Sequence, residues 1–351
     1  MNTTTVGVDL AKTRFELAIA DTEYRIQSRR RLTRVQFAQF FGNHPASRVV
    51  MEACGSAHHW ARTLQAQGHQ VQLLPAQYVR AYVKRNKTDA ADAGALLEAA
   101  RCAEIRPVPV KSVEQQAIQQ LHRLRAQCMG SRTARINWLR GALREVGVSI
   151  PLGARRGISA VRQALAAPEP TLPAVLCRFI EETLAEIAEL EQRCTRIERE
   201  LASLTHDDAV VRGLLAIPGI GLLSATALRA AIVDIQRFPS GRHLASWLGL
   251  TAREYSSGER RRLGRISKRG DVYLRTLLIH GARAVLNAAT SATRRGCTPD
   301  RLRIWALATQ QRCGYNKATV ALANKLARIV WATWKYQRPF AGNWAAPIPA
   351  A

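Results

Sequence analysis

Asp89 and Asp92 stand three residues apart in the stretch RNKTDAADA (85–93), directly after Arg85 and Lys87, in a chain of 351 residues with a formal net charge of +26. On a helix, that spacing puts both carboxylates on one face. Two more acids stand at strand-like termini: Asp9 closes VGVD (6–9) and Glu52 closes RVVME (48–52). Three elements can thus bring four carboxylates to one end of a sheet. Four carboxylates do not share a small volume without a cation, because like charges raise one another's pKa. Mg2+ takes oxygen ligands, and one or two such ions can clamp the attacking and leaving oxygens of a phosphodiester. The plainer alternative makes Asp89 and Asp92 solvated helix charges. Asp9 fits it less well, because a buried strand end is a costly place for an unpaired acid. Lys12, Arg85 and Lys87 sit close by in sequence and would draw a phosphate backbone toward the acids.

A second constellation is EYSSGERRRLGRISKRG (254–270). A serine beside Gly258 lets backbone approach a phosphate closely. Arg260, Arg261, Arg262, Arg265, Lys268 and Arg269 would neutralise that phosphate and the charge that develops on attack. A serine hydroxyl needs a base or a metal to become a nucleophile. The segment itself offers Glu254 and Glu259, so activation could instead come from the carboxylate–metal cluster, giving a composite site. The alternative is a loop serine in a phosphate-binding turn.

These groups must be positioned by elements, and the chain reads in three parts. Residues 1–108 read as an α/β domain, with strands at 3–10, 15–21, 24–32, 47–52 and 69–75 and helices at 34–44, 58–68 and 76–104. The prolines of IRPVPV (105–110) mark the boundary. Residues 109–207 read as a helical linker. There Ile180, Leu184, Ile187, Leu190, Cys194, Ile197, Leu201 and Leu204 form a heptad seam. It is either one helix of an intramolecular hairpin packed on 112–147 or an oligomerisation arm. Residues 208–340 read as a mainly helical, basic domain, and 341–351 as a disordered tail. In 214–232 an apolar helix end, the turn PGIG and a second apolar helix resemble a helix-hairpin-helix, in which the backbone at Gly219 and Gly221 can hold a phosphate. A structural turn is the alternative. Trp305, Trp331 and Trp334 are either core residues or stacking platforms.

Composition narrows the partner. The chain has 52 Lys and Arg against 26 Asp and Glu, and residues 251–338 alone hold 19 against 4, a net of +15. Such self-repulsion is tolerated when a polyanion is the partner, and nucleic acid is the first candidate. No run approaches 18 uncharged apolar residues and the N-terminus lacks a signal-peptide pattern, so a cytoplasmic protein with no membrane partner is expected. The seven cysteines are dispersed without CxxC spacing, which fits a reducing compartment.

VGVDLAK, VVMEACG and NKTDAADA together resemble the Asp-Glu-Asp-Asp signature of a family of bacterial insertion-sequence transposases that includes Piv-type DNA invertases. The PGIG turn followed by GLTAREYSSGERRRLGRISKRGDVYLR (249–275) resembles the family's C-terminal domain, so the resemblance spans nearly the whole chain. It implies an RNase H-like N-terminal domain similar to the RuvC resolvase, with Asp9, Glu52, Asp89 and Asp92 binding Mg2+. It also implies a serine nucleophile, which the Ser-Gly motif places at Ser257, with Ser256 and then Ser267 as the next candidates. Members work with a noncoding guide RNA from the element, so donor and target DNA and an RNA are the implied partners. Strand exchange needs two DNA partners held together, so a homo-oligomer, a dimer or tetramer, is expected. Two rivals remain open. One is a metal-dependent endonuclease or junction resolvase using water. The other is a nucleic-acid-binding protein whose acids are structural.

Overall fold

A computed structural model describes residues 4–83, 89–167 and 172–341, with the side chains of residues 89 and 90 outside that description. Arg85, Lys87 and the tail from 342 onward therefore lie outside the described residues. The chain divides into two compact units, Met1–Glu114 and Gln115–Ala351.

The first unit is built on five strands: β1 (Thr5–Leu10), β2 (Arg14–Ala20), β3 (Ile26–Thr33), β4 (Arg48–Glu52) and β5 (Gln70–Leu74). Their order in the sheet is β3-β2-β1-β4-β5. The β1–β2 and β2–β3 pairs are antiparallel, whereas β1–β4 and β4–β5 are parallel. Strand side chains alternate between faces, and the two faces carry different helices. Val6, Val8, Phe15, Leu17, Val49 and Met51 face α1 (Arg34–Asn43) and α2 (Ala57–Ala66), where Phe15, Phe37 and Trp60 meet edge to face. Ala18, Ala20, Val50 and Leu74 face α4 (Asp89–Arg101).

The helix expected over 76–104 is interrupted. It consists of α3 (Ala76–Val79), a 3-10 turn at Arg80–Tyr82, and then α4. Val79 is drawn into the core beside Val50 and Leu74, which turns the chain before a long helix can form. Gly7 is the contact that seats α4. A Cβ there would fall 2.5 Å from the Ala93 carbonyl and 3.0 Å from Leu97 Cγ.

The second unit is mostly helical. Helix α5 (Val113–Glu145) is followed by α6 (Ala154–Leu165) and α7 (Ala174–Leu204). The heptad seam of α7 packs on α5: Ile180 and Ile187 meet Ile136, Leu139 and Leu143, and Cys194, Ile197 and Leu201 meet Ile118 and Cys128. The ion pairs Arg125–Glu198 and Arg132–Glu191, each 2.6 Å, together with Arg135–Glu186, run in opposite sequence directions and make the pair antiparallel. Of the two readings of the seam, the intramolecular hairpin describes where its residues are buried.

Helices α8 (Ala209–Leu215), α9 (Leu222–Ala231), α10 (Gly241–Trp247), α11 (Val272–Arg294), α12 (Arg301–Cys313) and α13 (Tyr315–Tyr336) enclose one apolar core. Trp331 and Trp334 belong to that core, and Trp305 packs against it. His122 of α5 joins α5 to this bundle by bonding Thr226 Oγ1 of α9 at 2.9 Å and the Tyr273 hydroxyl of α11 at 3.0 Å. A feature absent from the expected helical domain is a two-stranded hairpin, β6 (Ala252–Glu254) and β7 (Leu263–Ile266), paired antiparallel. Among the described residues, no helix is long and apolar enough to cross a membrane, and all seven cysteines are free.

Candidate active site and nucleic-acid interface

Asp9 and Glu52 are brought together by strand register. The parallel pairing of β1 and β4 sets Gly7 beside Val50 and Val8 beside Met51. One further step places Asp9 beside Glu52, at the ends of their strands and on the face that carries Gly7 and Val50. Both acids act on one neighbour: the Cys54 thiol is pushed up chiefly by burial, then by the charges of Glu52 and Asp9. Helix α4 lies on the same face. Asp92 stands in its first turns, beside the Ala93 carbonyl that rests over Gly7. Its Oδ1 is buried without a hydrogen-bond partner. Asp89 opens the same helix, but its side chain lies outside the described residues. Lys12 is exposed in the turn between β1 and β2, just past Asp9.

Among the described residues, no three His, Cys, Asp or Glu side chains close into a group that would hold a metal ion. Asp9, Glu52 and Asp92 therefore share a face and a sheet end without forming such a cluster by themselves. A buried carboxylate oxygen with no donor is what a cation would satisfy, and an all-carboxylate set suits a hard ion.

Sequence reading missed Glu16. It is the cross-strand partner of Asp9 in β2, on the same face, and it forms an ion pair with Arg31 Nε at 3.0 Å. The signal was available in the alternation of RFELAIA (14–20), which puts Glu16 on the face of Ala18 and Ala20.

Ser257 stands at the far end of the β6–β7 hairpin. Its backbone N–H donates to the Arg260 carbonyl at 3.3 Å, and its own carbonyl accepts from the Arg260 N–H at 3.1 Å. Gly258 completes that turn at φ +55°, where glycine is favoured. Every residue from Ala252 to Arg265 is exposed, so Arg260, Arg261, Arg262 and Arg265 all meet solvent. Ser256, not Ser257, is engaged by a carboxylate: its hydroxyl donates to Glu254 Oε1 at 2.7 Å and accepts from the Arg262 N–H at 3.1 Å.

The hairpin's root is closely packed. Gly249 (φ +71°) and Gly270 (φ +84°) let two backbone segments touch, since a Cβ on either would run into the Arg269 or Trp247 carbonyl. Lys268, itself at φ +55°, donates its N–H to the Gly249 carbonyl at 3.1 Å. Arg275, only 7% exposed, donates to the Leu248 and Arg269 carbonyls at 3.0 and 3.1 Å. In the PGIG turn the two glycines differ. Gly219 packs backbone to backbone on Gly281 of α11, so its missing side chain serves packing. Gly221 is the exposed N-cap of α9 with open space around it.

The molecule thus joins an α/β unit with acids at one sheet end to a helical unit carrying a basic, serine-bearing hairpin. Comparison with known proteins agrees. Residues 211–296 match the transposase family IS116/IS110/IS902, and residues 6–148 match a second transposase model. The chain is 45% identical to a probable family 20 transposase of Pseudomonas aeruginosa, over 95% of this chain and 97% of that one. It is 39% identical to the transposase of insertion sequence element IS1111A of Coxiella burnetii, over 95% and 90%. It is 36% identical to that of IS1328 of Yersinia enterocolitica, over 94% and 96%. The chain belongs to the IS116/IS110/IS902 family of insertion-sequence transposases.

Proposed function

We propose that this transposase cuts and rejoins DNA through a Mg2+ site held by Asp9, Glu52, Asp89 and Asp92, with Ser257 as nucleophile. The observation that carries the reading is the placement of Asp9 and Glu52 one residue past the last paired step of two adjacent parallel strands, both acting on Cys54, under a helix whose Asp92 has a buried, unpartnered carboxylate oxygen. The strand order, three antiparallel strands continued by two parallel ones, supports an RNase H-like unit.

Bound there, Mg2+ would neutralise charge on the phosphodiester and favour the deprotonated nucleophile. The Ser257 oxygen attacks phosphorus and loses its proton. The DNA sugar oxygen leaves and takes a proton, and a phosphoserine ester remains. Attack on that ester by another DNA hydroxyl restores the serine and joins the new strands. Arg260, Arg261, Arg262, Arg265, Lys268 and Arg269, together with Lys12, Arg85, Lys87 and the Gly221 backbone, hold the DNA phosphates. A noncoding RNA of the element selects the sites, and two or four copies assemble to hold both DNA partners.

One observation favours a second reading of the nucleophile. Ser256 already donates to Glu254, so Ser256 has a local base, whereas among the described residues no carboxylate accepts from the Ser257 hydroxyl. A single experiment separates these. The protein is incubated with element-end DNA, the element's transcript and Mg2+, and a covalent protein–DNA adduct is sought. Ser257→Ala should abolish the adduct, Ser256→Ala should retain part of it, and Asp92→Asn should abolish it without loss of DNA binding. Adduct formed by Ser257→Ala transfers the role to Ser256. Cleavage with no adduct from any variant means that water attacks.

A further inference from the structure

Strand β3 is an edge of the N-terminal sheet, hydrogen-bonded to β2 alone among the described strands. Between Arg25 and Arg34 the chain carries five arginines, Arg25, Arg29, Arg30, Arg31 and Arg34, and no acid. Charges on an edge strand also serve to prevent pairing with another chain, and that role is indifferent to which face they occupy. Register and alternation make the faces here unequal. Arg31 opposes Glu16 and Glu16 opposes Asp9, so one row runs Arg31, Glu16, Asp9 and, one parallel step on, Glu52. Glu16 engages Nε of Arg31, whose side chain remains 61% exposed. Arg29 lies one row away on the same face, opposite Ala18, with a terminal nitrogen beside Gly94 of α4. Arg30 lies on the other face, its guanidinium 5.4 Å from the centre of the Phe40 ring.

The spacing fits a substrate. Two strand-to-strand steps separate Arg31 from Asp9, about 10 Å at roughly 4.8 Å each. A guanidinium fork at that distance would hold a phosphate close to the one presented to the acids, and arginine is suited to bidentate phosphate contact. We propose that β3 is the track for the DNA strand being cut, with Arg29 and Arg31 gripping its backbone phosphates and Glu16 orienting Arg31. This rests on the reading that Asp9 and Glu52 act on DNA. It assigns a phosphate-binding surface in the N-terminal unit in addition to the basic hairpin.

The test compares faces of one strand. Full-length protein is titrated without divalent metal against duplex DNA of the element's ends at several salt concentrations. Arg29→Ala and Arg31→Ala should each flatten the log–log salt dependence by about one unit and the double variant by about two. Arg30→Ala, of equal charge and on the same strand, should change it by less than half a unit. A methylphosphonate beside the cut bond should weaken wild-type binding several-fold and have no further effect on Arg31→Ala. Glu16→Gln should raise the apparent Kd several-fold at unchanged salt slope. Arg31→Lys, which keeps the charge, should restore the slope, separating phosphate contact from a folding defect. Equal losses from Arg30 and Arg31, or an unchanged slope in the double variant, would overturn the proposal. So would a loss seen only with the element's transcript, which would make β3 an RNA surface. Because binding is read without cleavage, failure of the serine or metal chemistry leaves this result standing, and the converse also holds.

Discussion

Asp9 and Glu52 stand on strands whose central residues are core, and α4 is seated over them through Gly7. Ser257 stands at the tip of a hairpin with no buried residue from Ala252 to Arg265, whose root is packed through Gly249, Gly270 and Arg275. The acids are thus held by the same burial that makes the unit fold. The serine stands on an exposed turn, and the contacts that fix the hairpin lie at its root. A metal site requires fixed carboxylates, because ligand oxygens must meet one ion. A nucleophile that engages a large substrate can sit on an exposed arm that the substrate itself completes.

The sharpest way to break the comparison is to substitute the glycines on each side. Gly249→Ala places a Cβ against the Arg269 backbone at φ +71° and should cost about 3 kcal/mol, from left-handed strain and overpacking together. Chemical denaturation would measure it, and hydrogen exchange should show the opening at the hairpin root. Gly7→Ala has no such backbone strain. It should cost about 1–3 kcal/mol as overpacking against α4. It should also abolish metal-dependent cleavage by lifting Asp92, while DNA binding by the hairpin is retained. If Gly7→Ala cleaves normally, α4 is not what aligns the acids.

A smaller effect compares the two units under acid. His58 accepts the Lys111 N–H at Nδ1 in the first unit, and His122 is buried between Thr226 and Tyr273 in the second. Burial pushes each down to about 4 from the ordinary 6.5. Both are neutral when folded, and the unfolded chain takes up their protons below pH 6.5. Their contribution is therefore complete above pH 6.5 and is lost as pH falls toward 4, on the order of 1–3 kcal/mol for each after solvent screening. Melting temperature against pH should be flatter for His58→Gln and His122→Gln, each in its own unit. The smallest effect belongs to the proposed nucleophile. Ser257→Ala should change stability by no more than about 0.5 kcal/mol, since nothing packs on an exposed turn residue. A larger loss would mean that the hairpin tip is structural.

Much of this arrangement was legible in the sequence. The β-rich run VGVDL, the alternation in RFELAIA and the apolar run in RVVME report strands, and the apolar spacing in 180–201 reports a helix with one buried stripe. Burial enforces these patterns, so they survive in the primary structure. The acids at strand ends, the Ser-Gly turn and the basic excess could be read in the same way. The hairpin strands could not, because AREYSSGERRRLGRI has no apolar stripe. Its pairing is stabilised by contacts at Gly249 and Gly270 that no local pattern encodes. The α7 seam could be read with two partners, residues 112–147 or another copy, since a heptad stripe specifies a face and not what covers it. The folded chain selects α5, through ion pairs such as Arg132–Glu191 between residues far apart in sequence. Likewise Glu16 became a neighbour of Asp9, and Arg31 of Glu16, only through cross-strand register, which depends on which strands pair and on the turns that set their offset.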